Sequence, residues 1–271
     1  MKKKTSIKEQ FKSLFRLNEQ ATNLQSLMAF GIWTLILVVL WEPLRPAIVP
    51  SIPELFAAYG PLFESLDLFA HWFSTAGLTL KAIGLSVFLS LAISYLSVIP
   101  FFRPIAQVIS KARFLSLMGF IFLFLSISHN AYTTRMYLLM FGIVPYLTTS
   151  MTSIILSTDK KMFHYAKTLN LNPWQTTYHV LVASKAGDIF EAIRQNLAIA
   201  FMMIVLVESK LREGGGIGVL LFDLKKYGHG FDKIFAVQLS VLIVGVCLDY
   251  VMHKVNQVAF PYAFLKRMNG G

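Results

Sequence analysis

Four intervals of this chain contain no Asp, Glu, Lys or Arg: Gln20 to Trp41, Ala82 to Phe102, Phe114 to Thr134 and Met136 to Thr158. A charge at the centre of a bilayer costs about 2.5–3.5 kcal/mol on insertion scales, and ~20 residues of helix cross the ~30 Å hydrocarbon layer. Each interval is therefore long enough to be a membrane span. Two shorter ones, Gln195 to Val207 and Ile234 to Leu248, reach spanning length by admitting Glu208 and Asp249 near their ends. The pattern predicts an all-α membrane protein with six transmembrane helices. A further uncharged stretch, Leu68 to Leu80, holds His71, Trp72, Ser74 and Thr75, and reads as an interfacial helix leading into the second span. Composition agrees: 14% of residues are charged and 55% hydrophobic, whereas a soluble domain carries about 25% charged residues. A soluble enzyme is excluded, and a single cysteine, Cys247, excludes a disulfide scaffold and a Cys-ligated metal module.

The net charge of +11 takes its meaning from where the 25 Lys and Arg fall. With six spans both termini lie on one side, and that side receives 17 of the 25, so the positive-inside rule places both termini in the cytoplasm. The segment Lys210 to Lys233 holds five of the remaining eight and runs against the trend. Residues 1–19 form a basic cytoplasmic segment that is not a cleaved signal. In it Ile7, Phe11, Leu14 and Phe15 follow helical spacing, which suits either an amphipathic helix on the anionic inner leaflet or a solvated leader that only sets orientation. Residues 20–253 form the membrane domain and 254–271 a cytoplasmic tail. Because the basic residues sit in short connections rather than on one soluble face, they are not a nucleic-acid footprint.

Several chemistries are missing. No G-x-x-x-x-G-K-[ST] occurs, so the chain has no phosphate loop for ATP. Gly214, Gly215, Gly216 and Gly218 lack dinucleotide register and read as a flexible extracytoplasmic turn. The six histidines show no H-E-x-x-H or H-x-x-x-H pairing, so no metal site is expected. Asp188, Glu191 and Arg194, at three-residue steps, read as a salt-bridge set rather than an acid/base pair. Transport remains, or a membrane enzyme without a visible motif.

The longest polar connection, 157–191, separates spans four and five. Met162, Phe163, Ala166, Leu169 and Leu171 recur at helical steps, Asn170 or Asn172 can end a helix, and Pro173 can begin the next. A helix, a tight turn and a second helix are predicted across the cytoplasmic surface.

Here the chain resembles the membrane permease subunits of bacterial ABC importers, in particular the nitrate, sulfonate, taurine and bicarbonate branch. Their coupling loop reads E-A-A-x-x-L-G, then W and a later I-x-L-P. This chain has His164-Tyr165-Ala166-Lys167-Thr168-Leu169-Asn170, then Trp174 and Val180-Leu181-Val182-Ala183. Ala166, Thr168, Leu169 and Trp174 match, while His164, Tyr165, Asn170 and Ala183 replace the Glu, first Ala, Gly and Pro. The resemblance runs from about Val49 to Asp249, through Pro50-Ser51-Ile52-Pro53-Glu54-Leu55, Pro145, and Glu208 followed by Gly216-Ile217-Gly218. The prolines usual at the start of span three are missing at Arg113-Phe114-Leu115-Ser116.

The resemblance implies a type I importer permease in the bacterial inner membrane, with a coupling helix between spans four and five. It implies several partners: an ATP-binding subunit that holds ATP and Mg, a second permease copy or paralogue, and an extracytoplasmic solute-binding protein. The chain itself then has no cofactor and no enzymatic activity. The expected ATPase-coupling residues are Phe163, His164, Tyr165, Ala166, Leu169 and Asn170. Glu208, Asp249 and His129 are candidates for the translocation path, because polar groups in a membrane are costly unless they face a cavity or a partner. The implied cargo is a small anion such as nitrate, sulfonate, taurine or bicarbonate. The alternatives are a polytopic enzyme acting on a lipid and a non-transporting membrane scaffold.

Overall fold

The computed structural model describes residues 23–262 apart from 47, 129 and 229. His129 and the basic segment 1–19 therefore lie outside the described residues, as does the end of the C-terminal tail. The first span, α1 (Asn23–Leu44), is apolar around its circumference, and among the described residues none buries its apolar window, as expected of a helix facing lipid. Its end is tied down by Trp41 Nε1 donating to Pro50 O at 3.1 Å and Arg45 Nη1 to Val49 O at 2.9 Å. The Pro50-Ser51-Ile52-Pro53-Glu54 segment starts a short helix, α2 (Ile52–Ala57). Ser51 N donates to Glu54 Oε2 at 2.8 Å and Glu54 N to Ser51 Oγ at 3.4 Å, a reciprocal capping box. A second short helix, α3 (Tyr59–Glu64), follows.

The second span departs from expectation. Instead of an interfacial helix and a separate span, α4 (Leu68–Leu96) is one continuous helix. No proline interrupts it, and the polar residues near its start are used inside the protein rather than at the interface. Its buried residues Thr75, Leu78, Thr79, Ala82, Ser86, Ser90 and Ser94 recur at three- and four-residue steps, so they form one face. That face lies along α7 (Ala131–Leu156), where Ser90 Oγ donates to Val144 O at 3.3 Å and Thr152 Oγ1 to Ser94 Oγ at 3.1 Å. Small hydroxyl residues let two backbones approach closely in a membrane.

The third span also differs. Residues expected to form one helix from Phe114 to Thr134 are divided. The amphipathic helix α5 (Arg103–Lys111) runs through a 3₁₀ turn, Ala112–Phe114, and then turns by 109° into α6 (Leu117–Ser128). At 12 residues α6 is about 18 Å long, too short to cross alone. Among the described residues five helices are long and apolar enough to span, and the bent pair makes a sixth if it is counted as one broken span. Arg135, expected in a loop, belongs instead to the first turns of α7 and is buried.

The central helix α7 is flanked by α4, by α6 and by α10 (Ala186–Lys210). Gly142 marks the tightest place: a Cβ there would stand 2.8 Å from Met203 Sδ and 3.2 Å from Leu117 Cδ2. Leu78, Leu138, Leu147, Met151, Ile204 and Val207 fill this core. A smaller cluster, including Leu62, Leu68, Ile217, Leu220 and Val237, joins α3 and α4 to α11 (Ile217–Lys226) and α12 (Phe231–Ala259). Between α7 and α10 the polar connection forms α8 (Lys160–Thr168), α9 (Pro173–Thr176) and a π-helical turn, Thr177–Ala183. The last residues of the expected loop, from Ala186, are already the start of the fifth span.

Candidate functional site

Local capping builds the α8–α9 platform. Asp159 accepts from Lys161 N at 3.0 Å and starts α8. The helix stops where Asn170 takes a left-handed conformation, φ +50°. There Asn170 N donates to Lys167 O at 3.0 Å and Leu171 N to Ala166 O at 3.1 Å, the two bonds of a Schellman ending. Asn is the non-glycine residue that tolerates this geometry best, so Asn170 keeps the turn that a glycine would make. Two residues later Asn172 caps α9 in a box with Gln175, with bonds of 2.8 and 3.1 Å, and Pro173 occupies the first turn.

This geometry decides which of the expected coupling residues point outward. Ala166 is only 3% exposed and Phe163 packs on the main core, so both face the chain's own body. His164, Tyr165, Leu169 and Asn170 face away from it. Trp174 and Tyr178, which the helical periodicity does not single out, join them: Trp174 is 84% exposed, Leu169 71% and Tyr165 63%. An indole this uncovered in a polar connection is the sequence signal for the platform's outer face. The result is an aromatic surface on two short helices, held from beneath by Phe163 and Ala166.

The opposite end of the bundle holds a buried polar network. Glu208 is fully buried rather than at an interface. Its carboxylate accepts from Thr75 Oγ1 at 3.0 Å and from Gly218 N at 3.0 Å, and Thr75 Oγ1 in turn accepts from Ile217 N at 2.8 Å. His71 Nδ1 accepts from Gly216 N at 3.1 Å, and Ser74 Oγ donates to Gly214 O at 3.0 Å. Arg135, also buried, donates to Gly215 O at 2.8 Å and to Leu211 O. Side chains from α4, α7 and α10 thus bond to the glycine segment, which sequence alone reads as a flexible turn. Glycine is required at two positions for different reasons. Gly216 has φ +117°, and any Cβ on it would run into the Glu208 carboxylate. Gly218 lies where a Cβ would stand 2.7 Å from Glu208 Cβ.

A second charged cluster lies at the platform end. Arg194 binds Glu191 with contacts of 2.7 and 3.1 Å and also pairs with Asp249 of α12. Asn256 Nδ2 donates to Glu191 Oε2 at 3.3 Å. Asp188 pairs with Lys185 at 3.9 Å. Of the three path candidates, then, Glu208 holds a loop, Asp249 is half-exposed and joins α12 to α10, and His129 is not described. Among the described residues no group of three His, Cys, Asp or Glu is placed to hold a metal ion.

No protein-family model matches this sequence, and no curated protein matches it. The fold, however, is similar to that of a chain in the crystal structure of an amino acid ABC transporter with histidines. The two agree at a TM-score of 0.61 with 14% identity, over 74% of this chain and 96% of the other. It is also similar to a chain in a bacterial ABC transporter involved in the import of the acidic polysaccharide alginate, at a TM-score of 0.58 and 13% identity, over 88% and 96%. The protein is a multi-pass, all-α membrane protein with the fold of ABC transporter permease subunits.

Proposed function

We propose that this chain is the transmembrane subunit of an ATP-driven importer in a bacterial inner membrane, with both termini and the α8–α9 platform in the cytoplasm. The observation that carries the reading is the uncovered aromatic face of that platform, standing on a permease-type bundle whose sequence has no nucleotide loop of its own. Short helices presenting apolar side chains suit a groove in a partner. The ATPase would contact Tyr165, Leu169, Trp174 and Tyr178, with His164 and Asn170 beside them, and would hold ATP and Mg itself. Its closure would rock this chain against a second permease, a copy or a paralogue, between two accessible states. A solute-binding protein would deliver the cargo, for which the loop resemblance favours a small anion such as nitrate, sulfonate, taurine or bicarbonate. The lipid-enzyme alternative is disfavoured because Glu191, Glu208 and Asp249 are each engaged in joining elements of the bundle.

The test is reconstitution of the chain, with candidate ATPase and binding-protein partners encoded nearby, into proteoliposomes. Binding of the ATPase and stimulation of its hydrolysis are expected. Trp174→Ala should weaken the association at least 30-fold, the loss of a central aromatic anchor worth about 2 kcal/mol or more, while the variant melts like the parent. An ATPase that binds equally well without Trp174, Tyr165 and Leu169 would remove the platform from the coupling interface.

A further inference from the structure

The segment Lys210 to Lys226 carries four basic residues, Lys210, Arg212, Lys225 and Lys226, against two acidic ones, Glu213 and Asp223. Arg212 is committed: it donates to Asp223 Oδ1 at 2.5 Å and lies 4.8 Å from the centre of the Phe222 ring. Lys226 stands 5.3 Å from the Tyr227 ring. Lys210 and Lys225 are exposed, and among the described residues neither has an ion-pair partner.

The three lysines stand around a cleft of about 640 Å³ between the end of α10 and α11. Met202, Val205 and Leu206 form one wall, Leu221 and Phe222 the other. The hydroxyl of Ser209 is spent internally, donating to Leu206 O at 2.7 Å. Met202 lies eight residues before Lys210, about 12 Å along the helix, in the apolar candidate span Ala186–Lys210. Both Met202 and Leu206 are uncovered, so the cleft is open on its apolar side.

A soluble anion matches the mouth of such a cleft but not its walls, and a hydrocarbon matches the walls but not the mouth. A phospholipid with a net negative headgroup matches both. We propose that this cleft binds an anionic phospholipid of the adjoining leaflet, its phosphate among Lys210, Lys225 and Lys226 and an acyl chain along Met202, Leu206 and Phe222. A zwitterionic lipid gains the same apolar contact without the net charge attraction. Each basic residue beside an anionic lipid surface is worth roughly a fivefold preference, so the two unpaired lysines predict about 5- to 25-fold selectivity. The proposal requires only that the bundle sits in a membrane, and so it is independent of transport.

The test places the full chain carrying Phe222→Trp in nanodiscs containing brominated phosphatidylglycerol or brominated phosphatidylcholine, with the unsubstituted chain subtracted as background. The introduced indole should be quenched by the anionic lipid at a 5- to 25-fold lower mole fraction. Adding Lys210→Gln, Lys225→Gln and Lys226→Gln should abolish that difference while leaving quenching by phosphatidylcholine unchanged, which shows the cleft intact. Native mass spectrometry of the unsubstituted chain gives a second reading that needs no indole: it should retain one phosphatidylglycerol that the triple lysine variant loses. Equal quenching by the two lipids, or equal retention by chain and variant, overturns the proposal. Displacement of phosphatidylglycerol by inorganic phosphate would also overturn it, in favour of a free-phosphate site.

Discussion

Replacing Gly218 by Ala tests the loop network with one methyl group. A Cβ at this position would overlap the Val205 carbonyl oxygen and approach Ser209 N at 2.9 Å and Glu208 Cβ at 2.7 Å. Two of those three atoms are backbone of α10, so no rotamer change relieves the contact and α11 must move away. Overpacking of this kind costs about 1–3 kcal/mol. The same movement lengthens the 3.0 Å bond from Gly218 N to the buried Glu208 carboxylate, and a hydrogen bond to a charged group contributes about 1.5–3 kcal/mol. The expected destabilisation is about 3–5 kcal/mol, a fall in melting temperature on the order of 10 °C for a chain of this size. The control is Gly84→Ala on the outer side of α4, where a Cβ meets nothing within 4 Å. That change should leave stability equal or raise it by up to about 1 kcal/mol, the helix preference of Ala over Gly. Both variants are purified in one detergent and melted by size-exclusion thermostability, with unfolding rates compared because such transitions are commonly irreversible. If Gly218→Ala and Gly84→Ala melt together, α11 is not packed against α10 as described and the network has no bearing on stability.

The platform turn gives a sharper local test: Asn170→Gly should preserve it, whereas Asn170→Ala places a Cβ without a compensating side chain at φ +50° and should cost about 1–2 kcal/mol, read as faster amide exchange at Leu171. At the start of α2 the Glu54 carboxyl is held below its ordinary range by hydrogen bonds from Ser51. A depressed folded value means that this contribution is complete above the unfolded carboxyl value of about 4.3 and is lost as pH falls through the folded value. Amide protection factors over residues 51–57, taken relative to the intrinsic exchange rate at each pH, should therefore fall in acid, and Glu54→Gln should remove that dependence; an unchanged acid response in Glu54→Gln would show that the capping box is not its source.

Much of the fold could be read from where charges are missing, because the physical constraint is strong and acts on every residue of a span. Helices α1, α7, α10 and α12 lie where those intervals place them, with ends shifted by local capping. The errors occur where a span is not exposed to lipid along its whole length. Thr75 and His71 looked like interfacial residues because polar side chains at a span end usually reach water, yet here they bind loop backbone 142 and 145 residues away. The third segment, expected from Phe114 to Thr134, is shortened to α6, and the amphipathic α5 stands before it in what reads as a connection. Val108, Phe114 and Phe122 are all exposed, and α5 and α6 each pack on α7 on either side of the 109° bend.

The two ends of the bundle differ in legibility for a related reason. At the platform, capping and periodicity are local, so Asn170, Asn172 and Pro173 announce a helix, a turn and a second helix from sequence alone. Which face is outward depends on the core beneath, which is why Phe163 and Ala166 turn inward and Trp174 takes their place. At the other end nothing is local. Glu208 finds its donors on Thr75, far away in α4, and on Gly218, reached only because the chain folds back after α10. A carboxylate two residues from the end of a span reads as an interface residue or a path residue, since both are common uses of charge in membranes. Its actual partners require three glycines with positive φ to carry the backbone over it, and a glycine-rich run looks the same in sequence whether it is loose or clamped. What distinguishes the two is the number of side chains from distant helices that bond to the backbone of the run. His71, Ser74, Thr75 and Arg135 all bond to the 211–217 backbone, and for the buried Thr75 and Arg135 those bonds would otherwise be left unmade in a low-dielectric interior.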